Sequence, residues 1–214
     1  MPNKQRTNVR KSSDGDARRR RTTTALAHAL IQLIQESGRF EDITVRQILQ
    51  RAGVGRTTFY SHFRSKEDVL HSTYEGVFGI HKAQLQQDTS AKPRLFPVSE
   101  FLEHLAGAKP VMVAFRKAGL ADDMRSQFIG YAADIIECRI RDLNLSTTVQ
   151  PRLAARMLAA ALIESMDWWF DHESIAAVEV DTAFHLLART VIANRSTSEP
   201  SPHLDRRRGD RSIR

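Results

Sequence analysis

The 214-residue sequence holds one cysteine, Cys138. An internal disulfide is impossible, no Cys-x-x-Cys metal pair exists, and the thiol reads as packing within a helix. Long apolar runs are also missing. The longest, Met157 to Ile163, falls well short of the roughly 20 residues a membrane helix needs. The N-terminus is polar and basic, without a signal peptide's apolar stretch, so a cytoplasmic location with no membrane partner is expected. Catalytic signatures are absent too. The histidines (His28, His62, His71, His81, His104, His172, His185 and His203) show no HExxH or other ligand spacing. There is no Walker loop or nucleophile elbow, and Asp122-Asp123 reads as a helix start. No enzyme activity, metal or cofactor is expected.

Positive charge is present but unevenly placed. Residues 1–66 carry 14 Lys/Arg against 5 Asp/Glu, residues 67–194 carry 12 against 17, and residues 195–214 carry 6 against 3. A basic head on an acidic body implies that only the head meets a polyanion.

Within that head, Thr44 to Phe63 reads as two short helices about a glycine turn. Thr44 and Gln47 have capping-box spacing. Val45, Ile48, Leu49 and Ala52 then form one apolar helical face. Gly53 supplies a left-handed stop, Val54 plugs the angle, and Gly55 opens the second helix. This outlines a helix-turn-helix. An earlier helix, about Arg20 to Ser37, carries Leu26, Leu30, Leu33 and Ile34 and ends at Gly38, with Phe40 and Ile43 packed beneath the motif. Ser65 caps a further helix running to about Gln87, with Asp68 at the capping-box position.

The run Phe40 to Leu70 resembles the TetR family of bacterial transcriptional regulators. The resemblance rests on Thr44, Ala52-Gly53-Val54, Thr58-Phe59-Tyr60, His62-Phe63 and Ser65-Lys66, and with the first helix covers about 60 residues. Gly55 departs from it, standing where the family usually has a Ser or Thr cap. The family implies an all-α fold, with a three-helix DNA-binding head joined by a linking helix to a ligand-binding and dimerisation body. The expected division is 1–17 a disordered basic arm, 18–80 the DNA-binding domain (motif 43–63), 81–194 the effector-binding and dimerisation domain, and 195–214 a disordered basic tail.

With Phe59 inward at 100° per residue, Thr57 and Ser61 point outward, flanked by Thr58 and Tyr60, with Arg56 at the leading end. That surface suits the major groove of double-stranded DNA. Arg56 could pair with guanine O6/N7, worth roughly 1–3 kcal/mol of discrimination. Tyr60 and His62 are candidates for phosphate, or for packing on the first helix. Lys66, at a helix N-terminus, is a candidate phosphate site. Arg46 and Gln47 are candidates for backbone contact; Thr44 is a cap whose family counterpart also touches phosphate. The run Arg18 to Arg21 is either a solvated cluster or an arm lying along DNA.

In the body, Pro93 and Pro97 mark a break, followed by short helices ended by Gly107 and Gly119. An amphipathic helix from Asp122 to about Leu143 and helices over about 150–170 and 178–193 complete the chain. The last two could pair with their copies as a four-helix bundle or pack within one chain; the resemblance implies the former. Phe78, Phe101, Met112, Phe115, Met124, Phe128, Tyr131 and Trp168 are either ordinary core or, as the resemblance implies, the lining of an effector cavity. The expected function is that of a homodimeric repressor, released from a palindromic operator by a small-molecule effector. The alternative is a regulator without a small ligand, controlled by a protein partner.

Overall fold

The computed structural model describes residues 5–88, 94–172 and 174–193. The elements among them are α1 (Gln5–Ser37), α2 (Val45–Ala52), α3 (Arg56–Tyr60), α4 (Lys66–Gln86), α5 (Val98–Gly107), α6 (Lys109–Lys117), α7 (Ala121–Asp142), α8 (Pro151–Phe170) and α9 (Ala177–Val191). A minimal antiparallel ribbon pairs β1 (Ser146–Thr147) with β2 (Ile192–Ala193). The fold is all-α, as expected.

Helices α1, α2 and α3 enclose one small core. Leu26, Leu30 and Ile34 of α1 meet Ile48 of α2 and Phe59 of α3, while Phe40 and Ile43 fill the connection. Helix α4 packs on α1, then continues into the body against α7. The expected boundary at residue 80 thus falls inside one unbroken helix. In the body α7 and α8 form the most extensive helix pair, and α5 packs across α9.

Two boundaries differ from expectation. Helix α1 begins at Gln5, so the backbone of residues 5–17 is helical and not a disordered arm. Apolar periodicity marks a buried face, and it starts near Leu26. Helix propagation needs only one hydrogen bond per added residue, and no proline interrupts Gln5 to Ser37. At the other end α9 stops at Val191, and the chain turns extended so that Thr148 N–H donates to Val191 O at 2.9 Å. The tail 195–214 lies outside the described residues.

One long-range contact fixes the start of α5. Pro97 at its N-cap offers no side-chain acceptor. Asp181 of α9 takes that role, accepting from Val98 N–H at 3.1 Å and Ser99 N–H at 3.3 Å. Burial works against the Asp181 charge. The His185 ring at 3.3 Å, the Ser99 N–H and Arg94 outweigh it and hold the carboxyl below its ordinary value. A depressed carboxyl stabilises the fold above its unfolded-state pKa and stops doing so as pH falls through the folded value. Asp181→Ala should therefore lower unfolding free energy by about 0.5–2 kcal/mol near neutral pH, the range for a lost cap. Denaturant titrations at several pH values should show the gap from wild type closing once the pH drops below the ordinary carboxylate range.

Candidate nucleic-acid interface

The turn between α2 and α3 is built as its residue types dictate. Thr44 Oγ1 accepts from Gln47 N–H at 3.3 Å, and Gln47 Oε1 accepts from Thr44 N–H at 2.7 Å, closing a reciprocal capping box. Gly53 sits at φ 64°, a left-handed stop that a β-carbon would strain, and its N–H donates to Leu49 O. Gly55 caps α3 in extended conformation but gives no side-chain acceptor.

Phe59 is fully buried, so α3 is oriented as expected. Arg56, Thr57, Tyr60 and Ser61 are exposed, and Thr58 and His62 are half-buried beside them. On α2, Arg46 and Gln47 are exposed near Thr44. The Arg56 guanidinium lies over the Tyr60 ring, 5.7 Å from its centroid. The Ser61 hydroxyl donates to Thr58 O at 2.7 Å, leaving its oxygen as an acceptor. His62 Nδ1 is buried without a partner among the described residues.

Lys66 departs from expectation. Its ammonium donates to the carbonyls of Phe40 (2.7 Å), Ile43 (2.8 Å) and Glu41 (3.1 Å), and it lies 4.4 Å from the centre of the Phe40 ring. An ammonium has three N–H donors, and all three are engaged. The side chain clamps the α1–α2 connection and has no donor left for phosphate.

Two neighbours on α1 complete the surface, one from the expected arginine run and one that sequence reasoning missed. A cleft of about 670 Å³ between α1, α3 and α4 brings Arg19 and Thr23 beside Tyr60, Ser61, His62 and Arg64. Only the arginine run signalled α1's participation; Thr23 carries no signal of its own. Arg18 to Arg21 are all exposed. Arg51, by contrast, is held by Glu36 in a bidentate pair at 2.8 Å that straps α2 to α1.

The eight candidate ligand residues divide between the body's interior and its surface. Phe78 packs against Phe128 (5.0 Å between centroids), Phe101 (5.2 Å) and Tyr131 (5.6 Å), and Phe101 against Phe128 (6.2 Å). Phe115, Met112 and Met124 are buried nearby. Trp168 is elsewhere: 49 % exposed on the outer face of α8, it stacks on His172 at 4.0 Å. With Met124 it borders an open cleft of about 490 Å³. The charges there pair with one another, Arg116 with Asp167 at 3.1 Å and Arg125 with Asp167 and Glu164. No cluster of metal-ligating side chains occurs among the described residues, and none of their helices is long and apolar enough to cross a membrane.

A capped glycine turn, an outward polar helix and adjoining arginines form a helix-turn-helix joined to a helical body. Comparison places it further. Residues 26–73 match the family model described as bacterial regulatory proteins, tetR family. The fatty acid metabolism regulator protein of Bacillus subtilis is 24 % identical over 155 residues, covering 66 % of this chain and 79 % of the relative. A TetR transcriptional regulator from Streptococcus agalactiae superposes with a TM-score of 0.53 at 22 % identity, over 83 % of this chain and 98 % of that one. The SmeT–triclosan complex, SmeT being a repressor from Stenotrophomonas maltophilia, gives 0.51 at 19 % identity, over 84 % and 95 %. Residues 26–73 are thus similar to the DNA-binding region of bacterial regulatory proteins, and the chain shares the all-α fold of the superposed regulators.

Two substitutions probe the local geometry. Lys66→Met should cost about 1–3 kcal/mol in chemical denaturation, because carbonyls lose charged donors. A phosphate-only role would leave stability unchanged. A β-carbon at Gly55 meets nothing within 4 Å, and its φ of −70° suits any residue. Gly55→Ser should therefore stabilise the head by a few tenths of a kcal/mol, seen as a higher denaturation midpoint.

Proposed function

We propose that the chain is a homodimeric repressor that reads a palindromic operator through α3 and is released by a small-molecule effector. The outward face of α3 beside exposed arginines of α1 carries this reading. Arg56, Thr57 and Thr58 meet base edges. Tyr60, His62, Thr44, Arg46 and Gln47 hold the sugar-phosphate backbone, with Ser61 accepting from a donor on the DNA.

The dimer rests on the outer faces of the last two helices. Leu153, Met157 and Trp168 on α8, with Val178, Leu186 and Leu187 on α9, are large apolar side chains left exposed in a single chain. Such a surface marks a protein interface, and two antiparallel helix pairs make a four-helix bundle. Twofold symmetry would set the two α3 helices roughly 34–36 Å apart, one DNA turn.

The name of the Bacillus subtilis relative makes fatty acyl compounds the effector class to test first. Such a molecule enters among the Phe78, Phe101, Phe128 and Tyr131 rings, and it releases DNA only by its differential affinity for the DNA-free state. The tight contact of those rings favours a second reading, regulation through a protein partner. Saturating acyl compounds that leave operator affinity unchanged would select it.

Mobility shifts on DNA flanking the chain's own gene, and selection from a random duplex library, test the core of the proposal. Arg56→Ala should abolish preference at one base position per half-site, a loss of roughly 1–3 kcal/mol. Equal losses on every operator variant would contradict base reading by Arg56. Leu186→Glu with Leu187→Glu should yield monomers in sedimentation.

A further inference from the structure

We infer that Tyr60 is a positioning residue for base recognition: its ring face orients the Arg56 guanidinium, separately from any contact its hydroxyl makes with DNA. The inference rests on the DNA-reading role proposed for α3 and assigns the residue that makes the reading selective.

Three observations converge. Arg56 and Tyr60 are four apart on α3, the spacing that stacks side chains on one helical face. The guanidinium lies 5.7 Å from the ring centroid, within cation–π range. The ring is itself held, since Tyr60 packs edge-to-face on the fully buried Phe59 at 5.1 Å with perpendicular planes. Order therefore runs from the head's core through Phe59 to Tyr60 and on to Arg56.

Arg56 needs such a support. It occupies the first turn of α3, where the helix dipole disfavours a cation, and Gly55 beside it has no side chain to offer. Arg51 and Arg39 in the same head have Glu36 and Asp42 as partners. Arg56 has the ring instead, and its N–H donors have no hydrogen-bond partner among the described residues. A carboxylate would occupy the donors that must read guanine; an aromatic face restrains the plane and keeps them available. A long arginine side chain loses much rotamer freedom when it docks, and prior orientation reduces that loss.

The test uses the full chain and an operator selected from a random library, together with that operator altered at the base pair whose preference Arg56→Ala abolishes. Tyr60→Phe keeps the ring and should retain the wild-type ratio of affinities between the two duplexes, whatever the loss of the hydroxyl does to both equally. Tyr60→Leu should narrow that ratio about two- to fivefold, the scale of an exposed cation–π pair. In the Arg56→Ala background, Tyr60→Leu should leave the ratio unchanged. Tyr60 is half exposed, so both variants should fold, and thermal melts check this. If Tyr60→Leu keeps the wild-type ratio, or Tyr60→Phe narrows it as much, the inference is overturned while DNA reading by α3 stands. Should the wild-type chain select no sequence at all, the reading beneath it fails as well.

Discussion

Three carbonyl oxygens converge on one ammonium at the centre of this molecule. Lys66 opens the helix that runs from head to body, and through Phe40, Glu41 and Ile43 it holds the connection leading into the helix-turn-helix. That connection also touches the body, because Phe40 N–H donates to Ala118 O at 3.4 Å, just before the left-handed turn at Gly119. The positions of α2 and α3, the start of α4 and the α6–α7 corner are thus tied at one joint. His71 of α4 facing Asp123 of α7 at 3.4 Å, and the Tyr74 ring against Phe115 and Phe128, extend it into the body.

What the sequence made legible was local. The Thr44–Gln47 box, the Gly53 stop, the inward Phe59 and the Ser65 cap each involve residues within a few positions of one another. Spacing and side-chain type decide them before the fold exists. Helix α7 was legible for the same reason, its stripe from Met124 to Ile140 being a simple 3.6-residue period. Lys66 was misread because its partners lie 23 to 26 residues earlier in the chain. Asp181 as the cap of α5, 83 residues from Val98, was beyond reach on the same ground. The aromatic residues pose a different question. Periodicity says that Phe78, Phe101 and Phe128 face inward, but whether inward rings enclose space or fill it depends on centroid distances that no pattern encodes. Trp168 was grouped with them although it continues the outer row of Leu153 and Met157, four and then eleven residues apart.

The handling of charge separates the two halves of the molecule more sharply than the net count does. In the body several arginines are paired across helices. Arg94 forks onto Glu100 at 2.8 and 3.0 Å, Arg139 reaches Arg94 O at 3.0 Å and Asp88 at 3.7 Å, and Arg116 and Arg125 share Asp167. These groups hold helices together and offer little field to a distant anion. In the head Arg18 to Arg21, Arg46 and Arg56 lie exposed on the side of α1, α2 and α3.

That difference explains why the head can bear an excess of positive charge without a matching set of acids. Its core is small but closed by Phe59, Ile48 and the α1 stripe, and its turns are fixed by caps and by the Lys66 clamp, with the Arg51–Glu36 pair as a surface strap. Exposed pairs are worth little to stability in water, and unpaired arginines forgo little by waiting. Against a polyanion they release counterions and bind strongly. The body lacks that freedom. Its Pro-containing segment before α5 has no cap of its own and is fastened by Arg94, Arg139 and Asp181, so those three charges are committed to the fold.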